Sequence, residues 1–162
     1  MYVNRPMRLA DYDYSQDGYY FVTSCVQNFM SVFGYIENGV MCLNLFGSIA
    51  YQQLYWLGSH YPYITIDTAV VMPNHIHCIV CIDHVGQGRD LDLPGHKIKS
   101  LSELIGAFKM RTSKFIHRNG YDDFKWQSSF YDTIITSEES LQIIRDYITC
   151  NPTNWPRDRN KP

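Results

Sequence analysis

The sequence predicts an α+β fold: a ferredoxin-like βαββαβ antiparallel sheet with an N-terminal hairpin elaboration and an added C-terminal helix. Three observations predict it. Runs rich in β-branched and aromatic residues at 19–26, 63–72 and 75–82, and a further one within 126–135, have the composition of strands. Two capping-box patterns, Ser100-x-x-Glu103 and Thr136-x-x-Glu139, open helices. From Tyr19 onward the elements then run β, hairpin, α, β, β, α, β, α.

Each element has its own local warrant. Residues 1–17 read as an irregular arm carrying Arg5 and Arg8. Residues 31–43 form a hairpin, because Asn38-Gly39 supplies the positive φ angles of a two-residue turn. Asn44 caps a helix that runs to about Leu57, with Phe46, Ile49, Ala50, Leu54 and Leu57 on its apolar side and Gly58 ending it. Pro73-Asn74 is a tight turn between two strands. Residues 83–99, with Gly86, Gly88, Pro94 and Gly95, are a loop. The helix over 101–118 buries Leu101, Leu104, Ile105, Phe108, Thr112 and Phe115. Beside that stripe Lys109, Arg111, Lys114 and Arg118 form the best local basic patch. The last helix stops near Cys150, ahead of Pro152.

Composition narrows the function. A length of 162 residues suits one domain, and 45% hydrophobic residues argue against disorder. No apolar run approaches a bilayer span and no signal-peptide pattern opens the chain, so a cytoplasmic protein with no membrane attachment is expected. Five scattered cysteines fit reduced thiols. Cys78-x-x-Cys81 lies on a strand, where positions three apart point to opposite faces, so it reads as coincidence rather than a zinc or redox pair. The net charge of −2 announces no nucleic-acid binding, which would need a local basic patch.

The most informative feature is His75-Ile76-His77. Two histidines one residue apart share a face only on a strand, where both imidazoles can hold one metal ion. A partly buried pair bonded to backbone carbonyls is the competing reading. On the final helix Tyr147 and Asn151 stand four apart, on nearly the same side and just off the core stripe of Leu141, Ile144 and Ile148. Spacing alone leaves that pair as readily a half-buried tyrosine and a C-cap.

Several strings along the chain resemble one family. Asp11-Tyr12-Asp13-Tyr14-Ser15-Gln16 with Tyr20-Phe21-Val22-Thr23 looks like its opening. Val71-Met72-Pro73-Asn74-His75-Ile76-His77, Trp126-Gln127-Ser128-Ser129-Phe130-Tyr131-Asp132, and Arg145-Asp146-Tyr147-Ile148 with Asn151-Pro152 follow in the right order over nearly the whole chain. The family is that of the REP-associated tyrosine transposases, the single-tyrosine branch of the HUH endonucleases. The resemblance implies the ferredoxin-like fold and a divalent metal ion, Mg²⁺ or Mn²⁺, bound by His75, His77 and Asn151. It implies that Tyr147, on the C-terminal helix, is the nucleophile. The implied activity is cleavage and rejoining of single-stranded DNA at or near a palindromic hairpin through a 5′-phosphotyrosine intermediate.

Lys109, Arg111, Lys114, Arg5 and Arg8 are the expected phosphate contacts, and Trp126 is a candidate base-stacking residue more readily explained by core packing. Relatives commonly carry histidine and arginine where this chain has Thr133 and Thr136. That departure keeps open a domesticated, non-catalytic module that binds single-stranded nucleic acid. Relaxase or replication-initiator activity, and hydrolysis by water, are further alternatives. Tyr131 is the rival nucleophile, and monomer and homodimer both remain open.

Overall fold

The computed structural model describes residues 9–84, 98–158 and 160; Arg5, Arg8 and most of the 83–99 loop lie outside them. The elements are β1 (Gly18–Cys25), β2 (Gly34–Glu37), β3 (Val40–Leu43), α1 (Leu45–His60), β4 (Ile64–Val71), β5 (His75–Ile82), α2 (Leu101–Arg118), β6 (Tyr131–Ile135) and α3 (Glu138–Cys150). The α+β class and the antiparallel sheet are as predicted. Four strands pair in the order β4-β5-β1-β6, every neighbour antiparallel, while β2 and β3 form a separate hairpin. Each β-α-β crossover is therefore split: β5 lies between β1 and β4, and β1 lies between β5 and β6.

Alternation along β5 divides the molecule into two faces. Ile76, Cys78, Val80 and Ile82 join Tyr20 and Val22 of β1, Leu54 and Leu57 of α1, and Leu104 and Phe108 of α2 in the main core. Positions of the other parity point away from it. Ile79 packs with Ile135, Leu141 and Ile148 in a small second core beneath α3. His75 and His77 have the parity of Ile79, so they stand on the α3 face, and both are fully buried. Thus α1 and α2 cover one face of the sheet, and α3 closes only part of the other.

The turn that presents the histidines is gripped from outside. Val26 N–H donates to Asn74 O at 2.8 Å, and the N–H groups of Val32 and Phe33 both donate to Pro73 O at 2.9 Å. The same segment is tied to α1, since Asn44 Oδ1 accepts from Gly47 N at 2.9 Å and its Nδ2 donates to Val32 O at 2.8 Å. The β2–β3 turn is as expected, with Asn38 at φ 51° and Gly39 at φ 74°.

Three local expectations need correction. Gly58 does not end α1; the helix continues to His60, where the Trp56 and His60 rings stack at 4.4 Å and Tyr61 N bonds to Leu57 O. Packing there outweighs the roughly 1 kcal/mol helix penalty of a glycine. The strand expected within 126–135 is present as β6 from Tyr131, and Trp126 makes a lone bridge to Val26. The cap of α3 is Ser137, which accepts from Ser140 N, rather than Thr136. On α2 it is Ile116 that is fully buried, while Phe115 is half-buried.

Cys78 and Cys81 do fall on opposite faces, and all five cysteines are free thiols. Among the described residues, no helix is long and apolar enough to cross a membrane.

Gly47 offers a test of this packing. A Cβ there would lie 2.2 Å from Phe33 O, and Phe33 in turn bonds to the Pro73 turn. Helix propensity alone favours Gly47→Ala by about 1 kcal/mol. The clash reverses that sign, so Gly47→Ala is expected to destabilise by about 1–3 kcal/mol in urea unfolding.

Candidate active site

The two imidazoles are oriented through their Nδ1 atoms. Asn74 is fully buried, and its Nδ2 donates to Phe29 O at 3.0 Å and Asn160 O at 2.6 Å. Those two carbonyls leave Asn74 Oδ1 toward His75 Nδ1, 2.7 Å away. An amide oxygen only accepts, so His75 carries its proton on Nδ1 and presents a lone pair at Nε2. His77 Nδ1 is hydrogen-bonded to Thr23 Oγ1 at 2.8 Å, because β1 places Thr23 directly opposite His77. The two Nε2 atoms then converge to 3.1 Å. Partners on Nδ1 that turn Nε2 inward are the usual outer support of histidine metal ligands.

Two buried oxygens complete the pocket. Asn151, 2% exposed at the end of α3, has an Oδ1 with no hydrogen-bond partner among the described residues, and the same holds for Asp158 Oδ2. Asp158 Oδ2 lies 3.6 Å from His75 Nε2, and the ligand atoms of His75, His77 and Asp158 all fall within 4.8 Å of one another. Buried polar atoms left unpaired call for an explanation, and a cation shared by these groups supplies one. Two imidazole Nε2 atoms 3.1 Å apart are close enough for both to be ligands of one cation. His75, His77 and Asp158 form a group able to hold a metal ion; Asn151, whose Oδ1 is also buried and unpartnered, lines the same cleft as Asp158.

Asp158 was not legible as a site residue. It belongs to an irregular stretch that a short 3-10 turn, Trp155–Arg157, curls back over the pair. Asn160 fixes the carboxylate by donating its N–H to Asp158 Oδ1 at 2.7 Å, while its own carbonyl accepts from Asn74.

Tyr147 extends from α3 into the same place. Its hydroxyl lies 3.5 Å from His77 Nε2, and its ring meets Phe21 edge-on at 6.0 Å. At 42% exposure it remains open to solvent. Tyr147 and His77 of the same chain thus meet directly. Tyr131 lies on the same face opposite Thr23, one strand further from His77. Tyr147, Asn151, Phe21, Asn154, Arg157 and Asp158 line an open cleft of about 410 Å³.

The sheet also anchors α3 by charge. A register shift between Ile66 and Thr68 makes a bulge at Asp67, whose carboxylate accepts from Arg145 Nε at 2.9 Å and from a terminal Arg145 nitrogen at 2.6 Å. This two-point clamp sits two residues before Tyr147 and sets how α3 lies on the sheet.

The basic residues of α2 lie elsewhere. Lys109 Nζ donates to Gln127 O at 2.9 Å and to Ser129 O at 2.7 Å, and Arg111 stacks on Trp56 at 3.8 Å while bonding to Gln53. Lys114 is exposed. All three belong to the helix packed on the face opposite the histidines. Trp126 packs against Phe33, Phe108 and Phe124.

The Arg145 hydrogen bonds hold the Asp67 carboxyl below its usual value. Between the folded value and the unfolded value of about 3.9, the unfolded chain binds more protons, so stability rises with pH in that window. The stability advantage of the wild type over Asp67→Asn should be full at neutral pH. It should shrink as pH falls below about 4, read as urea midpoints of the two proteins across pH.

Comparison with known proteins places this geometry. No family model matches the chain. An uncharacterized protein of Haemophilus influenzae (strain Rd) is 34% identical over 164 residues, covering 96% of this chain and 91% of that one. Among solved structures, a REP-associated tyrosine transposase bound to a REP hairpin superposes with a TM-score of 0.63 at 19% identity, over 92% of this chain and 74% of the other. A candidate transposase of Deinococcus radiodurans superposes with a TM-score of 0.52 at 13% identity, over 88% and 95%. The chain therefore belongs to one protein family with the Haemophilus influenzae protein, on a fold it shares with the REP-associated tyrosine transposase.

Proposed function

We propose that this protein is a metal-dependent tyrosine transposase that cuts and rejoins single-stranded DNA in the cytoplasm. The observation that carries the reading is the convergence of the His75 and His77 Nε2 atoms beside the Tyr147 hydroxyl, 3.5 Å from His77. His75, His77 and Asn151, joined by Asp158, would hold Mg²⁺ or Mn²⁺. The ion, when bound, neutralises phosphate charge and favours ionisation of a nearby phenol whose usual pKa is about 10.

Tyr147 Oη attacks the phosphorus of a phosphodiester and gives up its proton as the new P–O bond forms. The bond from phosphorus to the 3′ oxygen breaks, and that oxygen takes up a proton as a free 3′-hydroxyl. The 5′-phosphate stays on Tyr147. Reversal of the same step by a 3′-hydroxyl rejoins strands without an external energy source. The two-point Asp67–Arg145 contact holds Tyr147 in line, so that attack is intramolecular once DNA is bound.

The hairpin substrate is inferred from the relative solved with a REP hairpin. Arg5, Arg8, Lys109, Arg111 and Lys114 are proposed to contact phosphates outside the reacting centre. Thr133 pairs with Phe21 on the site face, where relatives carry histidine, so the proton and phosphate contacts there differ in this chain.

The test incubates the protein with Mn²⁺ and labelled hairpin DNA from the flanks of its own gene. A covalent adduct on a denaturing gel is expected, abolished in Tyr147→Phe and in His75→Ala. Cleavage without an adduct would replace the tyrosine mechanism by hydrolysis, and tight binding without cleavage would favour the domesticated binding module.

Metal binding is testable apart from activity. Asp158→Ala is expected to weaken Mn²⁺ binding about tenfold or more by calorimetry, an effect at least as large as loss of an outer support. Equal affinity would remove Asp158 from the ligand set.

A further inference from the structure

The cleft beside Tyr147 has more in it than the reacting groups need. Of its lining residues, Tyr147, Asn151 and Asp158 belong to the centre already described; Phe21, Asn154 and Arg157 do not. Phe21 contributes an aromatic surface, partly exposed, next to both the His77 and Tyr147 rings at 5.4 and 6.0 Å. Asn154 and Arg157 are exposed on the short turn that also delivers Asp158, with Arg157 N bonded to Asn154 O at 2.9 Å. The Arg157 guanidinium takes no hydrogen bond or ion pair among the described residues. Lys109 and Arg111, in contrast, are tied to the protein on the far face of the sheet.

We propose that Phe21, Asn154 and Arg157 form a nucleotide subsite, in which Arg157 binds a backbone phosphate of single-stranded DNA next to the one attacked by Tyr147. This deepens the transposase reading and rests on it. An arginine fork matches the geometry of a phosphate, an amide can meet a base or sugar, and an aromatic face accepts a base whatever its sequence. The subsite lies on the site face, where Thr133 supplies no charge. Its cation arrives from the C-terminal turn instead of from the edge strand. Because Asp158 and Arg157 are adjacent, the turn that helps complete the metal group also delivers the phosphate contact.

The experiment measures binding of a short fluorescent single-stranded oligonucleotide to Tyr147→Phe protein with EDTA present, so that neither cleavage nor metal enters. Arg157→Ala in that background is expected to weaken binding about five- to tenfold and to lower the slope of log K against log[salt] by about 0.7, the value of one single-strand phosphate contact. Arg157→Lys should restore the slope but only part of the affinity, which a loss of fold would not do. Phe21→Leu should weaken binding with the slope unchanged.

An unchanged slope and affinity in Arg157→Ala overturns the subsite, as does an oligonucleotide that the parent protein does not bind. Neither outcome depends on adduct formation. A normal adduct with an Arg157→Ala protein that binds like its parent would leave the transposase reading standing without the subsite. Normal Arg157-dependent binding without any adduct would do the reverse.

Discussion

One buried amide ties the site together. Asn74 makes hydrogen bonds to the Phe29 carbonyl, to the Asn160 carbonyl and to His75. Through them it joins the segment after β1, the C-terminal turn and the first residue of β5. Each partner has only one role open to it: carbonyls accept, so the amide nitrogen must face them, and the amide oxygen must then take the imidazole proton. The tautomer of His75 follows from that chain of constraints, and a lone pair on Nε2 follows from the tautomer. An aspartate in the same place could not donate to the two carbonyls, and an apolar residue would leave all three groups unpaired in the interior. A buried network of this kind specifies one arrangement because a partly satisfied one is costly.

The two faces of the sheet divide the work between them. The face under α1 and α2 carries the large core, with Tyr20, Phe108, Leu54, Leu57, Ile76 and Ile82 almost wholly buried. The opposite face holds α3 through a much smaller apolar cluster and the Asp67–Arg145 contact. Alternation along β5 thus puts the groups that need solvent and substrate on the thinly covered side and the groups that need burial on the other. The proposed mechanism asks for a nucleophile that is positioned and reachable at once, and a lightly anchored helix clamped by a two-point charge contact meets both demands. A larger core beneath α3 would hold Tyr147 more firmly while closing the cleft beside it.

The architecture was legible where a local rule sufficed. Period-two alternation placed His75 and His77 together, turn chemistry located Asn38-Gly39, and Asn44 and Ser100 capped their helices as their side chains require. Gly58 stays inside α1 because of the Trp56–His60 stack, which a glycine rule does not weigh. Half of the site was hidden because it depends on partners distant in sequence, which no window of neighbours contains. Thr23 supports His77 only because of the β1–β5 register, and Asp67 reaches Arg145 only because of a bulge. Asp158 sits in an irregular stretch with neither periodicity nor motif. Tyr147 and Asn151 were distinguished from other tyrosines and asparagines by resemblance, and the approach of Tyr147 to His77 is a matter of how α3 lies across β5.

Asp158 changes the electrostatic character of the centre. Two neutral imidazoles and an amide oxygen would bring no charge to a divalent cation, and a bound phosphodiester would supply the first negative group. A carboxylate 3.6 Å from His75 Nε2 would provide that charge ahead of the proposed DNA substrate. In the proposed site it would strengthen the hold on the ion and reduce the net attraction left for phosphate. A compensating cation near the strand would restore that attraction, and Arg157, the next residue toward α3, lines the same cleft. The pairing is economical in structure: one short turn, held by Asn160 and through it by Asn74, sets the position of both charges. In the proposed site, any shift of that turn would move Asp158 and Arg157 together, so ion affinity and strand affinity would be coupled through the C-terminal segment.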